Sequence, residues 1–339
     1  MKKLILVMVV MAMVIPMAFA DDAKVLPAGV LRTYIVPVYS FVNSEFDAEA
    51  EKKALDDDKD FEKVSVFNIG AAVEYGVNDW ISAAVQWTPG YTFGGKYTSD
   101  GTPTGDVYEE NGTIKGSAEV FLGAKFQIVG EKAPVVNDMF RVAVAPGFML
   151  ASSFSYDAEE EATNGASGDE FNVGAAKNAN GFGARLYADY IFNEMFFFNL
   201  YSQFKYFLPV AKESTDYAHY ATALVAGADN VEYGYELTLE AEPHFSMMAA
   251  DGVEVSAGLP VTYVMAPAPK YDGDTMQDIN PAADDTDSYS LYLKPSVSAF
   301  MQKLPIPMEF KVGYELPLAG KNVMARNNVV FQIKTYMKF

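Results

Sequence analysis

From residue 29 onward, apolar and polar side chains alternate with period two in one segment after another. In YELTLEAEPHF, Tyr235, Leu237, Leu239, Ala241 and Phe245 share one parity, and Glu236, Thr238, Glu240, Glu242 and His244 the other. In SAEVFLGAKFQIV, Ala118, Val120, Leu122, Ala124, Phe126 and Ile128 alternate with Ser117, Glu119, Gly123, Lys125 and Gln127. Successive side chains of a strand point to opposite faces, so the pattern predicts strands with one apolar and one polar face. Twelve segments qualify: about 29–43, 63–76, 80–94, 115–129, 139–153, 181–192, 196–208, 233–247, 253–265, 289–300, 308–316 and 327–339. Most are far longer than the roughly 5–6 residues of a soluble strand. A tilted strand crossing a bilayer needs about 9–11 residues plus an overhang at each rim.

The connections alternate in length. Long ones run over 43–63, 94–115, 153–181, 208–233 and 265–289, with a shorter sixth at 318–326. Between them fall brief turns at VND (77–79), GEKAPVVND (130–138), NEM (193–195), MAADG (248–252) and QKLPIP (302–307). Sorting of short turns to one end and long loops to the other is the habit of outer-membrane barrels. The predicted fold is therefore an all-β, transmembrane, antiparallel up-and-down barrel of twelve strands. Fourteen remain open if one hairpin escapes the pattern. Aromatic residues beside the short turns (Tyr75, Trp80, Phe140, Tyr190, Phe192, Phe196, Phe300, Phe339) predict a girdle at the periplasmic rim.

The termini fit this reading. MKK, the apolar run Leu4 to Met17 and the small-x-small AFA (18–20) read as a signal peptide, which predicts 1–20 removed and 21–339 as the barrel. The run is shorter than the ~20 residues of a spanning helix. The best later candidate, 139–151, is broken by Arg141 and Pro146. The chain ends VVFQIKTYMKF, mid-strand, with Phe339 on the apolar parity, which predicts a last strand closing against the first near 30–42.

Composition agrees: 24 Phe, 21 Tyr and a mean hydropathy of +0.02 suit a chain in which alternate residues face lipid. The absence of cysteine excludes disulfides and thiolate metal sites. The net charge of −20 lies in the long connections, 44–62 alone holding nine acids and three lysines, and argues against nucleic-acid partners. We read these loops as extended and solvated. Divalent-cation binding, for example at Asp272, Asp274 and Asp278, is the weaker alternative, because no full calcium-loop pattern is present.

The polar parity predicts the lumen lining. It includes Glu74, Gln86, Glu119, Lys125, Arg141, Arg185, Asp189, Asn199, Gln203, Lys205, Glu236, Glu240, Glu242, His244, Glu254, Lys294, Glu309, Lys311, Glu315 and Lys334, with both signs in similar number. A charge facing hydrocarbon would cost about 2–4 kcal/mol near the midplane, whereas inside the barrel it pairs or stays hydrated. Residues 21–28 are too few for a folded plug, so any gate is expected from lumen side chains or in-folded loops. The apolar YATALVAGA (220–228) is a candidate either to fold inward or to add a strand. His244 and Ser246 share a face, the spacing an outer-membrane phospholipase uses, but near the turn end and without a flanking motif. His244 is expected instead in a carboxylate network, opposite Glu254. His219, in a loop, does not supply the Asp and His pairs of a barrel protease. No phosphate loop, metal cluster or dinucleotide fingerprint appears, and no cofactor or enzymatic activity is expected.

EYGVNDWISAAVQWTPGY (74–91), GSAEVFLGAKFQIV (116–129) and VLPAGVLR (25–32) resemble putative transporters of the long-chain fatty-acid transporter superfamily, including the family labelled after the phenol meta-cleavage pathway. The resemblance implies uptake of small apolar or amphipathic molecules. The Asn-Pro-Ala hatch motif of the best-known members has its only counterpart in INPAAD (279–284), in a long loop, so their gating does not carry over. The expected function is passive uptake through an outer-membrane channel in a diderm bacterium; the alternative is a non-conducting structural protein or adhesin displaying acidic loops. Expected partners are outer-membrane lipid, small solutes and the barrel-assembly machinery, for which Phe339 resembles the terminal signal.

Overall fold

The computed structural model describes residues 22–55, 64–97, 112–152, 156–167, 169–283 and 285–339. The segment read as a signal peptide lies outside them, apart from which the twelve expected strands are all present. They are β1 (Val30–Phe46), β2 (Val64–Asn78), β3 (Ile81–Tyr97), β4 (Gly112–Ser117 and Val120–Gly130), β5 (Phe140–Leu150) and β6 (Gly181–Ile191). Then follow β7 (Phe196–Phe207), β8 (Tyr235–Ala250), β9 (Val253–Gly258 and Val261–Ala266), β10 (Ser288–Leu293 and Ser296–Met301), β11 (Met308–Lys321) and β12 (Val323–Lys338). Each pairs antiparallel with its neighbours in sequence. β12 closes on β1 from Val30 opposite Lys338 to Phe46 opposite Val323. The fold is a closed twelve-stranded barrel, which joins its first and last strands edge to edge.

Alternation sets which face is which. On β6, Phe182 and Leu186 are about half exposed on the outside while Tyr187 and Asp189 are buried within. Phe67, Val85, Phe148, Leu200, Leu239, Val297 and Phe331 continue the outer apolar surface around the wall. An apolar belt of this extent suits lipid rather than water. At one rim Phe140, Tyr190, Phe192 and Phe196 form a chain of rings with centroids 4.9, 4.6 and 5.2 Å apart. Phe300 departs from the expected girdle: it points inward and packs on Tyr336 at 5.2 Å.

Three of the short turns share a device. The Asn78 side chain accepts from the Trp80 amide at 2.9 Å, Asn137 from Met139 and Phe140, and Asn193 from Met195 and Phe196. An Asn oxygen that satisfies amides two and three residues on reverses the chain without extra residues. The sixth long connection is a correction to the sequence reading. β11 and β12 extend past 316 and before 327 to meet at Asn322, which takes φ 52°.

Prolines shape one side of the wall. Pro243, Pro260 and Pro295 sit at one level on β8, β9 and β10, where they remove ladder donors. Their carbonyls instead accept from the next strand: Leu259 N at 3.2 Å, Lys294 N at 2.8 Å and Tyr314 N at 3.0 Å. The resulting breaks in β9 and β10 re-aim side chains, as bulges do. Lys294 is thereby turned inward onto Glu315 at 3.2 Å and Glu240 at 3.8 Å.

At the long-loop end, the connections fold over the mouth. α1 (Ala158–Ala166) starts on Asp157, which accepts from the amides of Glu159 and Glu160, and α2 (Tyr217–Ala226) starts on Asp216 and stops at the left-handed Gly227. Four short strands (210–211, 230–232, 270–271, 274–275) form a separate small sheet. Phe121 and Met149 of the wall, Phe207 at the end of β7, and Val231, Tyr233, Tyr271 and Met276 bury together into one core. The described parts of 156–181, 208–233 and 265–289 are therefore a packed cap, not extended chains, because their apolar residues outweigh charge repulsion; the acidic middles of 44–62 and 94–115 lie outside the described residues. Of the two readings of 220–228, inward folding holds, as a helix with Ala223 fully buried.

Candidate functional site: the barrel lumen

At the short-turn end the lumen widens into a cavity of about 1040 Å³ lined by Glu242, His244, Glu254, Glu309, Lys311 and Lys334, with Ser246 and Phe300. His244 Nδ1 lies 3.1 Å from Glu242, and its ring stacks on Phe197 at 4.4 Å. Its register differs from expectation. β8 runs on to Ala250 before turning at Asp251–Gly252, so His244 faces Gly258, and Glu254 faces Met248. Glu254 instead contacts Gln302 Nε2 at 3.4 Å. Lys334 pairs with Glu309 at 3.4 Å, and Tyr336 donates to the same carboxylate.

The first described residues enter this space. The Ala23 amide donates to both Asp189 oxygens at 3.2 and 3.1 Å, Lys125 Nζ donates to the Asp22 carbonyl at 2.5 Å, and Arg141 pairs with Asp22 at 3.4 Å. Asp189 also forms an ion pair with Arg141, whose Nε lies 3.3 Å away, and accepts from Asn199 Nδ2 at 2.7 Å. Ala23 is fully buried against Ala143, Ala145, Tyr187 and Tyr201. The expectation that these residues play no part in occlusion is corrected. They are too short to fold alone, but the lumen wall supplies the partners for them.

Above Ala23 lies an aromatic and cationic layer. Lys125 sits over the Tyr187 ring at 4.1 Å, Tyr187 packs on Tyr201 at 5.2 Å, and the Arg185 guanidinium lies 4.0 Å from the Phe121 centroid. Such stacking is worth about 2 kcal/mol or more when desolvated. Arg185 donates to Gln86, and the Gln203 amide, turned to present its oxygen, accepts from it at 2.7 and 3.1 Å. Arg32 and Glu74 pair elsewhere in the interior, with Ser82 donating to Glu74 at 2.7 Å. Toward the cap, Lys205 and Lys177 share Glu236 at 2.8 and 3.3 Å, and Glu119 stands within their electrostatic reach. The interior is thus cross-linked in layers by paired charges.

The sequence reading missed several of these residues. Phe121, Tyr187, Tyr201 and Tyr292 are apolar or aromatic on the inward parity. Parity alone would have found them, had the lumen not been equated with polar residues. Arg32 and Arg326 were legible by the same count.

The wall itself has a seam. The β11–β12 ladder stops at Glu315 opposite Asn328. Beyond it, β11 pairs with β10 up to Lys321 opposite Tyr289, and β12 pairs with β1. Leu316 and Leu318 stand exposed along this stretch.

No family model matches the chain, and no curated protein matches it. Among solved structures, the chain is similar to the COG4313 outer membrane channel from Pseudomonas putida F1, with a TM-score of 0.62 and 10% identity over 94% of this chain and 100% of that one. That likeness is one of fold. The P. putida toluene transporter TodX aligns at TM-score 0.42 and 9% identity over 93% and 91% of the two chains. A Pseudomonas aeruginosa FadL homologue aligns at 0.38 and 10% over 92% and 90%.

Proposed function

We propose, taking the fold of an outer-membrane channel as the premise, that this protein admits small apolar or amphipathic molecules passively across the outer membrane of a diderm bacterium. The observation that carries this reading is the combination of a lumen narrowed by Ala23 and by the loop core with a wall whose ladder ends at Glu315–Asn328. A water-filled pore for polar solutes needs a wide continuous lumen, and Ala23 and the loop core occupy part of that space. An apolar solute held in the lumen instead has a lipid-facing exit, provided that the seam opens. Cysteines replacing Leu316 and Asn327, the first positions past the last pair, should crosslink and abolish uptake of small aromatic hydrocarbons into proteoliposomes, with recovery on reduction. Unchanged uptake by the crosslinked protein would remove the seam from the mechanism. Absence of any uptake by the wild type would favour the structural or adhesin reading.

Phe339 is assigned to recognition by the assembly machinery. It is 79% exposed, and its amide donates to the Gly29 carbonyl at 2.9 Å, at the closing edge. Deleting it should reduce the heat-modifiable, membrane-inserted form more than the secreted amount; normal insertion would count against the assignment.

A further inference from the structure

Arg326 stands on the inward side of β12, 4% exposed, two residues beyond the last β11–β12 pair. Its Nε has no hydrogen-bond partner, and no carboxylate among the described residues forms an ion pair with its guanidinium. The other interior cations described above are held by carboxylates, carbonyls, amides or rings. A buried charge left without a partner destabilises the fold. A cation that persists without a partner therefore calls for one from outside the chain.

The surroundings point to the same need. Ser40 on β1 faces Asn328 in register, and Val42 faces Arg326. Ser40 Oγ is buried without a partner, so its hydroxyl is unspent. Asn328 is turned away from Arg326 by its bond to Glu315, which leaves that carboxylate engaged by Asn328 and Lys294. The buried Tyr292 phenol on β10 lies within electrostatic reach of Arg326. Val42 and Met324 beside it belong to an apolar cluster with Val66, Ile114, Phe171 and Val173. A guanidinium, a hydroxyl and a phenol bordering an apolar wall suit a planar oxyanion on an apolar body.

We propose that Arg326, with Ser40 beside it, forms a subsite for the carboxylate of a small organic acid, at the level where the β11–β12 seam begins. The assignment names a ligand class for the channel reading and rests on it. Guanidinium–carboxylate recognition is bidentate, and the neutral amide of the same shape cannot satisfy it.

The full protein in non-ionic detergent would be titrated calorimetrically with three isosteric probes: benzoate, benzamide and benzamidinium. Wild type should bind benzoate at least about tenfold more tightly than the other two, which corresponds to about 1.4 kcal/mol. Arg326→Gln should lower benzoate to the benzamide level, Arg326→Lys should retain part of the preference, and Ser40→Ala should weaken benzoate alone. Equal binding of the three probes, absence of benzoate binding, or full benzoate affinity in Arg326→Gln would each overturn the proposal. Should Arg326→Gln fail to fold, as judged by heat-modifiable mobility, the wild-type ranking and Arg326→Lys decide. Proteoliposome uptake separates the two readings. A barrel that binds benzoate but passes none of the probes refutes the channel, whereas one that passes benzoate and benzamide alike without preferential binding refutes the subsite.

Discussion

The two ends of the lumen are filled by different physics. At the short-turn end a few residues lie in a polar socket, held by Asp189, Lys125 and Arg141. At the long-loop end, three connections bury a shared apolar core that includes Phe207, Val231, Tyr233 and Tyr271. A packed core releases only by losing many contacts together, whereas a polar tether releases when one or two bonds exchange with water. The short-turn end is thus built to move and the cap to stay.

Deleting 22–27 should break the comparison most visibly. Single-channel conductance in planar bilayers should rise several-fold with the barrel intact, because the tether contributes little to the wall. Unchanged conductance would place the controlling barrier in the cap alone. Next in size, Phe207→Ala should cost about 3–5 kcal/mol through the cavity it leaves. The loss should appear as faster hydrogen exchange in 217–233 and leave exchange at 23–27 unchanged. Exchange rising at both ends would show that they are coupled.

Asp189→Asn should be smaller, weakening the tether by about 1.5–3 kcal/mol, the range for a hydrogen bond to a charged group. The readout is exchange of the Ala23 amide, with the cap as internal control. The smallest effect concerns pH. Asp272 accepts from the amides of Asp229 and Asn230 and from the Asn230 side chain, and these bonds hold its carboxyl below the usual range, the Asp229 amide foremost. A depressed carboxyl supports the folded cap above its unfolded value near 3.9 and loses that support as pH falls through the folded value. Protection of the 229–230 amides, taken as exchange relative to the intrinsic rate at each pH, should therefore fall below about pH 4 and be flat from there to neutrality. An Asp272→Asn variant should lose that pH dependence.

The barrel was legible in the sequence because its signal is local and repeated. A strand with lipid on one side must alternate, and a one-residue slip would turn Glu240 and Lys205 toward hydrocarbon. That constraint, with the sorted connection lengths, determined the class, the order and the closing pair, while the choice of twelve strands over fourteen came from the structure. What fills the lumen was decided only by tertiary structure. The position of His244 opposite Gly258 depends on how far β8 runs before it turns. The inward aim of Lys294 depends on three prolines meeting at one level of three strands. Ala23 reaches Asp189, 166 positions away, only because closure brings the entry segment under β6. Alternation assigns a face to every residue, but it carries no information about which inward side chains share a height, and that height is where pairing, occlusion and the unpartnered Arg326 arise.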